Sequence, residues 1–136
     1  MKRANRLRRP DQFRRVRREG RTVSTPFLTL TVGPGRRRRI RCGFVVGKQI
    51  GGAVQRNRAK RRVREAVRLA LPAIEPGSDL IFVVRSAALS DLAFTEVQAL
   101  VEHLLRRAQL WRIHQDQTAA AAIDSPTDGA MPQAER

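Results

Sequence analysis

Apolar residues recur along this chain with two periods, and the switches between them outline six elements. Pro10 to Glu19 carries Phe13 and Val16 one helical turn apart, with Pro10 suited to the first helical position and Gly20 to the stop, so a short helix is predicted. Phe27-Leu28-Thr29-Leu30-Thr31-Val32 is β-favouring and partly alternating, and Gly33-Pro34-Gly35 turns the chain. Ile40 to Val46 reads as a second strand, and the two predict an antiparallel hairpin. From Arg56 to about Leu71 the residues Ala59, Val63, Ala66, Val67 and Ala70 fall within about 100° of one another on a helix, a stripe narrow enough to dock on a sheet. Pro72 and Glu75-Pro76-Gly77-Ser78 stop that helix. Asp79 to Arg85 contains five consecutive apolar residues, the pattern of a strand buried on both faces and therefore central in its sheet. Thr95-x-x-Gln98 resembles a capping box, and Val97, Leu100, Val101, Leu104, Leu105 and Ala108 trace a core stripe to about Trp111. The order is helix, strand, strand, helix, strand, helix: an α+β sandwich with a mixed sheet. Residues 1–113 are expected to form one domain. The segment 114–136, rich in Ala, Gln, Asp, Pro and Thr, is expected to be a disordered tail.

The polar positions change the picture most in the central helix. Outside its apolar stripe stand Arg58, Lys60, Arg61, Arg62, Arg64 and Arg68, with only Asn57 and Glu65 among them. Like charges at i,i+3 and i,i+4 destabilise an isolated helix, and a merely solvated face would alternate sign, so a polyanionic partner is expected. Charge over the whole chain agrees. The 28 Lys and Arg against 12 Asp and Glu leave +16. Residues 1–68 hold 23 basic and 3 acidic side chains, and residues 69–136 hold 5 and 9. Such an excess points to nucleic acid or an anionic membrane. Of the 28 cations 25 are arginine, whose planar fork suits bidentate phosphate contacts. Gly47-Lys48-Gln49-Ile50-Gly51-Gly52 leads into the helix and offers backbone N–H groups to a phosphate. It is not a nucleotide loop, because the lysine precedes the glycines. The turn Arg36 to Arg39 reads equally well as a solvated tip or a contact.

Several kinds of chemistry have no residues to carry them. No His–carboxylate pairing, paired-carboxylate constellation or metal-ligand spacing stands among the residues before His114, and His103 lies alone as a surface histidine. The lone Cys42 excludes an internal disulfide and fits a reducing compartment. No apolar stretch approaches a membrane span, so a cytoplasmic protein with no membrane partner is expected. Five Phe and one Trp make no evident stacking platform, so binding should rest on phosphates and shape. A structural ribosomal RNA-binding protein would share the charge and the fold class. A DNA-compacting protein would need a dimer motif or a minor-groove arm, and neither is seen, so no DNA partner is expected.

The stretch Arg41-Cys42-Gly43-Phe44-Val45-Val46-Gly47-Lys48-Gln49-Ile50-Gly51-Gly52-Ala53-Val54-Gln55-Arg56-Asn57-Arg58-Ala59-Lys60-Arg61 resembles the signature of the bacterial ribonuclease P protein family. The likeness extends upstream through Arg6-Leu7, Asp11-Gln12-Phe13, Val16 and Gly20-Arg21, covering roughly residues 5 to 110. It implies an α-β-β-β-α-β-α two-layer sandwich with a left-handed βαβ crossover, one short strand more than the pattern shows, as in a ribosomal protein domain. It also implies a role. The protein would bind a catalytic RNA and the 5′ leader of precursor tRNA, hydrolysis being left to RNA-bound Mg²⁺, with no cofactor and no catalytic residue on the protein. Carried over by position, Lys48, Arg56, Asn57, Arg58, Lys60, Arg61, Arg62, Arg64 and Arg68 would contact RNA. Phe13, Arg14, Arg17 and Leu30 would line a leader cleft. Arg17 and Leu30 stand where the family often has aromatics, and Gly47 and Gln49 where it often has Ser and Lys.

Overall fold

The computed structural model describes residues 2–112. The expectation of disorder at 114–136 falls outside them. Seven main elements follow one another: α1 (Pro10–Glu19), β1 (Arg21–Ser24), β2 (Leu28–Pro34), β3 (Ile40–Val46), α2 (Ala53–Ala70), β4 (Ser78–Val84) and α3 (Phe94–Arg107). This is the α-β-β-β-α-β-α order. The extra strand β1 has a single apolar side chain, Val23, and four residues, too little pattern to read.

The strands form one sheet in the order β1-β2-β4-β3. β4 lies antiparallel to β2 and parallel to β3, so α2 is the crossover between β3 and β4. Its central place follows from its composition. Leu80, Phe82 and Val84 enter the main core with α2 and α3, while Ile81 and Val83 face α1.

The expected hairpin of β2 and β3 does not form, because β4 is inserted between them. Alternation identifies a strand but not its neighbour, and the five-residue apolar run of β4 needs two flanking strands to satisfy its backbone. The real hairpin is β1–β2, closed by Thr25, whose N–H donates to the Leu28 carbonyl at 2.9 Å.

The stripe predicted for α2 is the one it buries: Ala59, Val63, Ala66 and Val67. α3 buries Val97, Val101, Leu104 and Leu105 but begins earlier than the Thr95 box implies. Its entry is held by Glu96, whose carboxylate accepts from the Ala93 N–H at 2.9 Å.

The second face of the sheet carries α1. Val16 is fully buried against Ile81 and Leu7, with Phe13, Val45 and Val83 around them. The approach is close because β3 has Gly43 there, where a Cβ would stand 2.5 Å from the Phe13 ring. Beside α1, Arg41 and Asp79 join β3 to β4 by two hydrogen bonds of 3.0 and 2.7 Å. Asp79 is only 2% exposed, and its hydrogen bond raises the Arg41 pKa against the opposing effect of burial. Finally, residues 5–7 cover the edge of β3: the Leu7 N–H donates to the Cys42 carbonyl at 2.8 Å and the Asn5 amide to the Ile40 carbonyl at 2.9 Å.

Candidate RNA interface

α2 presents cations on two flanks, and the flanks differ in what already holds them. Toward α3, the Arg58 Nε donates to the Ser90 carbonyl at 3.0 Å. Arg62 donates to the same carbonyl at 2.9 Å, and also to the carbonyls of Leu89 and Leu92. These carbonyls end the 3-10 turn Ala87–Asp91, where intrahelical partners run out. Both arginines therefore serve as its C-terminal caps. Elsewhere on the helix Arg56 donates to the Gly51 carbonyl at 2.6 Å, and Arg68 pairs with Glu65. Arg58 and Arg62, both expected to contact RNA, thus have part of their guanidinium groups bonded within the protein, Arg58 remaining exposed and Arg62 half-buried.

The opposite flank is different. Lys60 and Arg64, one turn apart, face the N-terminal segment across a cavity of about 300 Å³ also lined by Arg6, Leu7, Arg8, Phe13, Cys42, Gly43 and Phe44. None of its four cations has a carboxylate partner among the described residues. The Arg64 guanidinium lies 5.8 Å from the centroid of Phe44, which in turn stacks on Phe82 at 5.9 Å. The Arg64 Nε is buried and has no hydrogen-bond acceptor. Leaving such a donor unsatisfied costs about 1–3 kcal/mol, a cost that an incoming phosphate oxygen would remove. Arg64 was expected on the open arc of the helix; it is half-buried because its stem runs over Phe44.

The remaining positions of this surface are open. Asn57, Arg61 and Lys48 are exposed. The N-terminus of α2 has no side-chain cap at Gly52 and no acidic residue in its first turn, so its positive end is unopposed. Cys42, at the cavity floor, is kept a thiol: burial, with Asp79 nearby, pushes its pKa up to about 12.

On the α1 face a strip of the sheet beside Phe13 runs across four strands as Ser24, Thr29, Val83 and Val45. Two hydroxyls lie at one end and two apolar side chains at the other. Arg14 and Arg17 are exposed on the flank of α1 away from Gln12 and Arg15, which border Arg41 and Asp79, and so they rim this strip. Leu30 does not belong to it. It is fully buried in the core on the opposite face, because side chains alternate along β2; Thr29 and Thr31 take the place expected for it. The alternation of Thr29 and Thr31 with Leu28, Leu30 and Val32 is a signal that separates the two faces. The family likeness includes Arg6 but gives it no role, and nothing in the sequence marks Arg8; the place of both depends on the pairing of residue 6 with Cys42.

Comparison with known proteins places the chain in one family. The family model described as Ribonuclease P matches residues 1–109. The chain is 54% identical over 136 residues to the ribonuclease P protein component of Chloroflexus aurantiacus, covering all of this chain and 98% of the relative. It is 59% identical over 108 residues to that of Roseiflexus castenholzii, covering 79% of this chain and 88% of the relative. Among solved structures, the RNase P protein of Staphylococcus aureus superposes with a TM-score of 0.71 at 27% identity, over 79% of this chain and 98% of that one. The RNase P protein of Thermotoga maritima gives 0.69 at 28% identity, over 75% and 96%. By sequence and by fold, this chain belongs to the ribonuclease P protein family, the protein component of a ribonucleoprotein endoribonuclease.

Proposed function

We propose that the chain binds the catalytic RNA of ribonuclease P along the N-terminal flank of α2 and leads the 5′ leader of precursor tRNA through the strip beside α1. The observation that carries the reading is the set of four cations, Arg64, Lys60, Arg6 and Arg8, that line one cavity with no carboxylate partner among the described residues, the Arg64 Nε also lacking an acceptor. Cations held without a carboxylate, beside a buried donor that lacks an acceptor, form a site for phosphate oxygens. The uncapped N-terminus of α2 and the exposed Asn57, Arg61 and Lys48 extend that surface.

For the leader, the exposed Ser24 offers a hydroxyl that the buried Thr29 holds by its own, Val45, Val83 and Phe13 offer apolar contact, and Arg14 and Arg17 offer charge. A single strand suits such a strip, because the leader's bases can be contacted without pairing. The chain's own part in the reaction is binding and positioning. The hydrolytic Mg²⁺ is assigned to the RNA, as the family resemblance implies. Family membership disfavours the structural ribosomal reading. No helix among the described residues is long and apolar enough to cross a membrane, and a cytoplasmic site of action fits this RNA partner.

Reconstitution tests the proposal. With a bacterial ribonuclease P RNA at limiting Mg²⁺, the protein should restore cleavage of precursor tRNA at the mature 5′ end, and Phe13→Ala should reduce the gain for leader-bearing substrate. Cleavage by RNA-free protein, or no stimulation of the RNA, would overturn it.

A further inference from the structure

The turn Arg36–Arg39 has four exposed arginines that neither flank of α2 nor the leader strip uses. None of the four has a carboxylate within ion-pair distance or a side-chain hydrogen bond among the described residues. Six other exposed arginines, Arg9, Arg15, Arg18, Arg68, Arg106 and Arg112, each meet an Asp or Glu, whereas Arg14, Arg17 and Arg61 share the unpaired state of the turn.

The turn is also anchored. Its two ends are fixed to Gly77, which accepts from the Gly35 N–H at 3.2 Å and donates to the Arg39 carbonyl at 2.8 Å. The Arg39 N–H closes the turn on the Arg36 carbonyl at 3.0 Å. Arg38 sits at φ +63°, a left-handed conformation in which glycine is the easy residue and a side chain is disfavoured. A charged side chain is thus kept where the backbone prefers none, and four like charges are held together on a fixed turn.

Its position relates it to α2. Asn5, whose amide bonds the Ile40 carbonyl beside the turn, lines a depression of about 490 Å³ with Lys2 and Arg68, Leu71 and Pro72 at the end of α2. The turn thus adjoins, through Ile40 and Asn5, a depression that Lys2 and the end of α2 also line.

We propose that the Arg36–Arg39 turn is an additional docking surface of this protein, which grips backbone phosphates of the same RNA that lies along α2. The inference rests on the RNA-binding reading of α2. A turn whose backbone is already fixed loses less entropy on binding than a mobile loop, and RNA supplies the dense negative charge that four adjacent arginines lack within the protein.

The test compares two variants of equal charge. One carries Arg36→Gln, Arg37→Gln, Arg38→Gly and Arg39→Gln, the glycine relieving the left-handed position. The other carries Arg9→Gln, Arg18→Gln, Arg106→Gln and Arg112→Gln, removing four carboxylate-paired cations. Affinity for a bacterial ribonuclease P RNA is measured across a salt series. The turn variant should lose about two units of the slope of log affinity against log salt, and the control less than about half a unit. The thermal midpoint of the turn variant should be unchanged or higher. Equal slopes in both variants, or an unchanged slope in the turn variant, would overturn the inference. A Lys60→Gln/Arg64→Gln variant run alongside separates the two readings: if it alone loses slope, only the role of the turn fails, and if it too is unchanged, the α2 interface fails with it.

Discussion

The two flanks of α2 are built from nearly the same residues and do different work. On one, Arg58 and Arg62 end in backbone carbonyls of the Ala87–Asp91 turn and tie α2 to the connection between β4 and α3. On the other, Lys60 and Arg64 face an open cavity with no acceptor in reach of the Arg64 Nε. Helical position alone separates them, because a step of two residues moves a side chain by about 200° around the axis. A cation that the fold has left without a partner keeps all its donors free for a phosphate, whereas Arg58 and Arg62 already have some of theirs engaged.

Three variants sharpen this comparison. The largest effect is expected at the most completely engaged arginine, Arg41. Arg41→Gln leaves Asp79 buried without its charge partner and should destabilise the fold by about 3–5 kcal/mol, read as a lower urea midpoint. Arg62→Ala should come next. It strips caps from the carbonyls of Leu89, Ser90 and Leu92 and should cost about 2 kcal/mol in the same denaturation, with little change in the salt dependence of RNA binding. Lys60→Gln with Arg64→Gln should do the reverse: the urea midpoint holds within about 0.5 kcal/mol, while the slope of log affinity against log salt falls by about two.

Much of this fold is legible in the sequence. The helix Pro10–Glu19, the stripe Ala59, Val63, Ala66, Val67 and the doubly buried β4 follow from periodicity, because burial on one or both faces writes itself into the spacing of apolar residues. Pairing does not write itself in this way. Strands β2 and β3 look like a hairpin until β4, from much later in the chain, is placed between them. The interface divides similarly. The resemblance singles out Lys60 and Arg64 along with Arg58 and Arg62, and only tertiary contacts show that the second pair caps a turn. Leu30 was assigned to the cleft by position, whereas the period-two alternation of its own strand sends it to the other face. Arg6 and Arg8 enter the site through an edge pairing with Cys42 that no local pattern announces.

Following the arginine Nε–Hε resonances by ¹⁵N NMR while a short RNA hairpin is added tests the division of α2 most directly, because each guanidinium reports for itself. The Arg64 signal should shift strongly, as a buried donor without an acceptor gains a phosphate oxygen, and the Arg58 signal, already bonded to the Ser90 carbonyl, should stay in place. A moving Arg58 beside a silent Arg64 would contradict the account, for it would put the RNA on the flank of α2 whose arginines already bond the Ala87–Asp91 turn.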